Sequence, residues 1–437
     1  MGNEISAITE IAADAIDRFA ITPAEMLHAG IARRVFASIG VTATPTRVIH
    51  DRIATSSYSL TRKALLGAAG AMAAGFRTAT DNADIRPLSN SRPGRFMIGA
   101  FNGFAGDRLA ERSNDLAIRL AVRHRGKDLM CTPDEFARTF PDATPKLAVF
   151  LHGLAETEEW WMRRRRDHEA RCIGTRLRDD AGYTPVYVRY NTGLHVSENG
   201  KQFSELLESL TSAWPVAVQE IALIGHSMGG LVIRSACHVG TLAQHRWPMS
   251  TRQIVTLGTP HHGAPLAKAV HAAAWALHAF PESEPMAHVL DTRSAGIRDM
   301  RLGALHDDDW REERFDDFAD RRREIPLLPG CQYTFITATV TADPSHRLGA
   351  LFGDLLVRTE SASGRHREHI IPVDPASVVP VGGLTHFDLL NHPLVYVAIR
   401  DVLSRSRPSP TFAVPERLSA APFAPADPTP GGLREVP

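Results

Sequence analysis

The chain reads as an α/β fold, a mostly parallel sheet flanked by helices. Short β-branched runs alternate with helical patterns at the spacing of βαβ units. Ahead of them, LAIRLAVRHRGKDL (Leu116 to Leu129) reads as two strands around a tight turn at Arg125-Gly126-Lys127, the antiparallel lead-in edge of a mixed sheet. A glycine-rich turn, Gly225-His226-Ser227-Met228-Gly229, joins an apolar run to an apolar helix start, as a parallel sheet requires.

Taken in order, the first 80 or so residues are expected to be helical. Ile5, Ile8, Ile11, Ile16 and Phe19 recur at helix-like spacing, Pro23 suits a first turn after Thr22, and Ala24–Ser38 continues the pattern. The small-residue stretch Leu65–Phe76 reads as a helix packed closely on another. A surface helix dipping into lipid, and with it a peripheral membrane contact, is the sharper alternative, although its polar face lacks basic residues. Asp81–Gly94 is a turn-rich connector. The expected strands of the body are Leu147–Leu151, Pro185–Tyr190, Glu220–Gly225, Gln253–Leu257, Gln332–Val340 and Ser377–Val381. Between Gly263 and Gly330 the strand rhythm breaks, and Trp275, Phe280, Trp310, Phe315 and Phe318 stand among charged clusters, as in a lid or packed subdomain. The expected organisation is a helical N-terminal extension over 1–110 and an α/β body over 111–404 carrying a helical lid insert at 263–330. A disordered Pro-rich tail follows over 405–437.

With 437 residues the chain can bury a large core, and its formal net charge of zero points to no nucleic-acid partner. The four cysteines lack metal-ligand spacing and read as reduced thiols of a cytoplasmic protein. The start lacks the basic and apolar regions of a secretory signal, and no apolar run reaches the length of a membrane span. No cofactor and no metal signature is expected.

The chemistry-bearing stretch is the G-x-S-x-G turn around Ser227. A serine at the apex of a sharp strand-to-helix turn is held clear of the sheet, over a helix amino end that favours negative charge. Such a nucleophile needs a base, an acid and an anion-stabilising pocket. His386, in Gly382-Gly383-Leu384-Thr385-His386, lies between the expected last strand and a final helix, which makes it the candidate base. Asp354 and Asp343 are candidate acids. Asp343 follows the strand Gln332–Val340 at once, as the simplest arrangement would have it. The strand ending in His152-Gly153 can turn an N–H toward the site, and the backbone N–H groups of Leu154 and Met228 are the candidate oxyanion donors. His152, Gly153 and His226 are read as substrate-pocket lining, with Trp275 and Phe280 as acyl-channel residues from the insert. Glu156, Glu158 and Glu159, followed by Arg163–Arg166, read as the solvated face of a helix rather than a head-group site.

The motifs FLHGL, GHSMGG, TLGTPHHGAP, GDLLVRTESA and GLTHFDLLNHP, in this order within Leu147–Leu403, resemble those of bacterial esterases and lipases of the α/β-hydrolase superfamily. The resemblance includes the branch similar to the lipase-like domain of GPI inositol-deacylases. It implies the α/β-hydrolase fold and a Ser227-Asp354-His386 triad that cleaves small-molecule or lipid carboxylic esters through an acyl-enzyme. The block like GDLLV supplies the acid in that family, which favours Asp354 over Asp343. Where such lipases often read Asp-Gly-Leu-Val, Leu355 replaces the glycine here, so a different loop shape is expected. Acyl transfer or thioester hydrolysis on the same triad is the alternative, and a hydrolase-fold binding module without catalysis is the rival.

Overall fold

A computed structural model describes residues 2–39, 44–80, 88–112, 114–162, 171–278, 284–311, 320, 322–366 and 369–405. Among the described residues the helices α1 (Gly2–Ile16), α2 (Thr22–Ile39), α3 (Thr44–Thr80) and α4 (Arg92–Glu111) precede the sheet. The antiparallel hairpin β1 (Ala121–His124) and β2 (Lys127–Leu129) follows, then α5 (Pro133–Thr139). The body runs β3 (Lys146–Leu151), α6 (Ile173–Ala181), β4 (Thr184–Arg189), α7 (Val196–Ala213), β5 (Glu220–His226), α8 (Met228–Leu242), α9 (Trp247–Ser250) and β6 (Thr251–Leu257). The insert holds α10 (Pro265–His278), α11 (Glu284–Asp291), α12 (Ala295–Asp299) and α13 (Asp308–Arg311). The chain then returns through β7 (Gln332–Thr339), α14 (Arg347–Phe352), α15 (Thr359–Ala362), β8 (Val378–Gly382) and α16 (Pro393–Ser404).

The strands form one sheet in the order β2-β1-β4-β3-β5-β6-β7-β8. β1 is antiparallel to β2 and β4, and the pairs from β4 to β8 are parallel. This is the α/β-hydrolase arrangement. Alternation of side chains sorts the core onto two faces. Leu147, Val149 and Leu151 of β3 meet α7 and α8 residues such as Phe203, Leu207 and Val232. Ala148 and Phe150 meet Ile173 and Leu177 of α6 and Ile399 of α16. From β3 the chain steps one way to β4, and from β5 it steps the other way to β6. The carboxyl ends of β3 and β5 therefore flank a topological switch point, where open α/β sheets leave a crevice.

Several expectations shift. The strand expected from Leu116 begins only at Ala121, because buried Asn102 of α4 holds that stretch as a loop. Its side chain donates to the Leu116 carbonyl (2.7 Å) and accepts from the Ile118 N–H (2.8 Å). The expected connector ends early: residues 81–87 lie outside the described residues, and Arg92, Pro93 and Gly94 already belong to α4, capped by Ser91. Gly67 and Gly70 of α3 face open space and Leu66 is exposed, but Ala69 between them is buried and α3 packs against α1, so one face of the stretch lies on another helix. Arg163–Arg166, Phe280, Phe315, Phe318 and the Pro-rich tail from residue 406 lie outside the described residues. Among the described residues no helix is long and apolar enough to cross a membrane.

Asn102 makes a direct prediction. Asn102→Ala strands the Ile118 N–H and Leu116 carbonyl in a buried setting, and should lower unfolding free energy by about 2–3 kcal/mol. Urea denaturation checks this as a lower midpoint at unchanged slope.

Candidate active site

Ser227 sits between β5 and α8 with φ 51° and ψ −122°. Side chains rarely adopt such angles, at a cost of about 1–3 kcal/mol, so the surroundings must hold them. The Ser227 N–H donates to the Leu257 carbonyl (2.8 Å), and its own carbonyl accepts from Gly230 N (3.1 Å) and Thr259 Oγ1 (2.9 Å). Neighbouring glycines permit the close approach. A Cβ on Gly225 would lie 2.6 Å from Gly230 N, and one on Gly229 would lie 2.7 Å from the carbonyl oxygens of Leu151 and His152. The turn is thus wedged against the ends of β3 and β6.

Asp354 and His386 come from the loops after β7 and β8. Asp354, 1% exposed, accepts from His386 Nδ1 through Oδ2 at 2.6 Å. Its Oδ1 accepts from the N–H groups of Leu356 (3.0 Å) and Val357 (2.8 Å), which fixes the carboxylate plane. The His386 N–H also donates to the Asp354 carbonyl (3.0 Å). Asp343, by contrast, lies on an exposed loop, accepts from Ser345 (2.7 and 2.9 Å), and is not joined to His386. The Ser345 hydrogen bonds pull its pKa down. Leu355 holds φ 85° and is 63% exposed. The loop therefore keeps the left-handed conformation a glycine would take, against the altered shape expected from the sequence.

In the loop after β3 the backbone donors on either side of Leu154 are taken. Gly153 N–H donates to Glu156 Oε2 (2.7 Å), Ala155 N–H to Thr192 Oγ1 (3.1 Å) and Glu156 N–H to the Gly153 carbonyl (3.2 Å). Among the described residues neither Leu154 nor Met228 donates its N–H to a backbone acceptor. His152 is fully buried, stacked on Tyr190 with ring centroids 4.5 Å apart, and stands behind the site rather than in its lining. Gly153 is buried too, and a Cβ there would lie 3.0 Å from the Ser227 Cβ.

Glu156 was missed as a functional residue by sequence reasoning. It does not stand on a solvated helix face: Glu156, Glu158 and Glu159 are 2%, 2% and 8% exposed, and the segment from Glu158 is a short 3-10 turn. Glu158 pairs with Arg123 of β1 (2.8 Å), and Glu159 pairs with Arg95 of α4. Glu156 Oε2 meets His226 Nδ1 at 3.1 Å, and His226 Nε2 meets the His386 carbonyl at 3.1 Å. Both His226 ring nitrogens face oxygen atoms, so the ring bridges the two loops and does not line the pocket. Burial opposes its charge, but Glu156, the His386 carbonyl and Asp354 together raise its pKa above the usual 6.5. Burial likewise opposes ionisation of Glu156, yet His226, the Gly153 N–H and His152 hold its pKa below the usual 4.5.

Ser227 and His386 open together on a cavity of about 360 Å³. Its walls are Leu154, Phe104 of α4, Ala264 and Ala267 before and within α10, Ile297 and Met300 around α12, and Leu356 and Phe387. The wall is almost wholly carbon, with Arg293 and Glu156 as its charged members. Phe104 lies in the N-terminal helices and was not foreseen. Among the described residues the insert reaches the cavity through Ala264, Ala267, Val270, Ile297 and Met300, with Arg293. Trp275 belongs to α10, its side chain lying outside what is described, and Trp310 packs on the body, stacked on His195 at 3.8 Å. Among the described residues no group of His, Cys, Asp and Glu is set to hold a metal ion.

A family model described as "PGAP1-like alpha/beta domain" matches residues 174–310. No curated protein matches. Among solved structures, mature Bacillus licheniformis lipase BlEst2 is similar at 18% identity with a TM-score of 0.40, over 59% of this chain and 91% of that one. The propeptide form gives 17% identity and a TM-score of 0.41, over 62% of this chain and 53% of that one. A thermophilic esterase from Thermogutta terrifontis gives 15% identity and a TM-score of 0.35, over 60% and 91%.

Two predictions follow from the polar frame. Leu355→Gly relieves the positive φ and should stabilise the fold by about 1 kcal/mol, read as a higher thermal midpoint. Glu156→Gln removes one partner of a buried pair and should cost about 3–5 kcal/mol. The raised His226 pKa makes its contribution complete below pH 6.5 and lost as pH rises through the folded value. The depressed Glu156 pKa makes its contribution present above 4.5 and lost as pH falls through the folded value. The gap between wild type and variant should therefore be widest between those pH values and narrow on either side, as denaturation across pH will show.

Proposed function

We propose that the protein is a serine hydrolase of carboxylic esters that works through an acyl-enzyme on Ser227. The observation that carries this is the 2.6 Å bond from His386 Nδ1 to buried Asp354, with His386 and Ser227 facing one carbon-lined cavity. Asp354 fixes the tautomer with the proton on Nδ1, which leaves Nε2 to take the Ser227 proton as Oγ attacks the acyl carbonyl. The N–H groups of Leu154 and Met228 receive the developing oxyanion; in such sites loss of one donor costs about 3 kcal/mol of transition-state stabilisation. His386 returns its proton to the leaving alcohol, then draws one from water to release the acid.

The acyl chain lies against Phe104, Ala267, Ile297, Met300 and Leu356. These surfaces reward carbon and offer no partner to a polar acyl group. Leu348, Leu351 and Phe352 of α14 and Leu355 beside it are each more than half exposed, next to the Asp354 loop. This apolar apron suits an ester presented from a lipid surface.

Ser227→Ala should lower turnover on p-nitrophenyl esters by roughly 10⁴- to 10⁶-fold and abolish labelling by a fluorophosphonate probe. Absence of labelling in the wild type would instead favour a binding module. Asp354→Asn should also lower kcat by orders of magnitude and Asp343→Asn should leave it near wild type; the reverse ranking overturns the triad. Phe104→Ala should weaken kcat/KM for long-chain esters far more than for acetate, and equal losses across chain lengths would sink the acyl-wall assignment.

A further inference from the structure

The segment after β6 stands between two cavities. Ala264 lines the one at Ser227, while His261 and His262 line another, of about 260 Å³, that shares no lining residue with the first among the described residues. The second cavity has an apolar side formed by Ile325, Leu327 and Ile371, and a basic end formed by Arg234, His261 and His262.

Arg234 of α8 is 8% exposed and makes no hydrogen bond or ion pair with any described residue. A buried guanidinium without a counter-charge is costly, and protein interiors normally pair it. The other basic groups here are already matched. Arg322 is held bidentate by Asp320 and donates to the His261 carbonyl (3.1 Å), and Arg323 pairs with Asp308 (2.8 Å). Glu324 also lines the cavity, but its side chain is 82% exposed and faces His369. Arg234 is left facing the cavity with its charge unanswered. Desolvation lowers its pKa to about 10, so it remains cationic at neutral pH.

The histidines complete a donor set. His261 is 1% exposed; its Nε2 lies 3.3 Å from Thr256 Oγ1, and its Nδ1 has no partner among the described residues. His262 is 5% exposed, and neither ring nitrogen makes a hydrogen bond of normal geometry there. Burial, reinforced by Arg234, keeps both rings neutral, with the His262 pKa lowered to about 4. A neutral imidazole offers one N–H, so Arg234 and these rings can present several donors with a single positive charge. That combination matches a carboxylate or phosphate group and leaves a neutral ligand with the charge still unpaired.

We propose that this cavity binds a small oxyanion, a carboxylate or phosphate group, held by Arg234 with His261 and His262 as neutral donors. The proposal does not depend on ester hydrolysis at Ser227. The cradle is nevertheless tied to the elbow. Thr259 Oγ1 donates to the Ser227 carbonyl, and Ser361 Oγ accepts from His262 N (3.0 Å) while donating to the Gly263 carbonyl (2.9 Å). An occupant would brace the same segment that supports the serine.

The test is thermal unfolding of the full chain titrated with inorganic phosphate, acetate and glycerol 3-phosphate, at ionic strength held constant with sodium chloride. The three arms separate a free tetrahedral anion, a carboxylate and a phosphomonoester of a larger molecule. At least one should raise the melting temperature saturably, by about 2 °C at roughly twentyfold excess over Kd. Arg234→Met should abolish that shift while leaving the anion-free melting temperature equal to wild type or higher, because it removes a buried unpaired charge. Arg323→Met, whose charge is already matched by Asp308, should keep the response. Should Arg234→Met fail to fold, His262→Phe serves in its place and should weaken the response at least fivefold. The proposal is overturned if wild type shows no saturable shift with any of the three anions up to about 20 mM, a range that reaches millimolar Kd values. It is equally overturned if Arg234→Met or His262→Phe responds as wild type does.

Discussion

The backbone of Ser227 is the constraint on which the rest depends. Its positive φ is unfavourable by itself and persists because three strand ends converge on it. Leu257 of β6 accepts its N–H, Thr259 donates to its carbonyl, and the end of β3 presses on Gly229. The parallel register sets Leu151 beside Gly225 and Leu257 beside His226, so these strands finish level with one another. A one-residue slip in either pairing would carry the supports away from the serine and exchange the two core faces.

Around this turn the polar groups are arranged to join loops rather than to add stability one by one. Glu156 and His226 link the loop after β3 to the carbonyl of His386, and Asp354 reaches His386 from the other side. Two further acids of the same short segment fasten it outward, Glu158 to β1 and Glu159 to α4. Buried ion pairs are weak evidence of net stability, but breaking one strands a charge, so they select a single arrangement of the loops. The segment from Glu156 to Met162 thus fixes the antiparallel edge, the last N-terminal helix and the rim of the cavity together.

What the sequence made legible was local. Ser227 announces itself because a strained turn needs glycine at fixed offsets, and the strands because β-branched runs sit between turn residues. Asp354 and His386 followed from their order along the chain and from motif resemblance, and the structure brings them together. Glu156 was illegible because an acidic cluster followed by arginines has the pattern of a solvated helix face, and only tertiary contact shows that its partners come from elsewhere. Phe104 was hidden because it stands in a helix far upstream of every strand. Trp310 was legible only as an aromatic of a lid or packed subdomain, and the flat ring of His195 and the hydroxyl of Ser197 show that it packs on the body. Leu355 shows the reverse case: the residue type argued for a changed loop, but the two N–H donors gripping Asp354 impose the glycine-like angle.

The placement of α4 has a consequence for how such a chain can be altered. Its Gly103 lies so close to Ala155 that a Cβ would stand 2.6 Å from the Ala155 side chain, and the next residue, Phe104, forms part of the cavity wall. A shortened protein beginning at the first strand could keep Ser227, Asp354 and His386 and still lack this part of the cavity wall. The shape of the cavity beside Ser227 can then drift, or be redesigned, through a helix that holds none of these three residues.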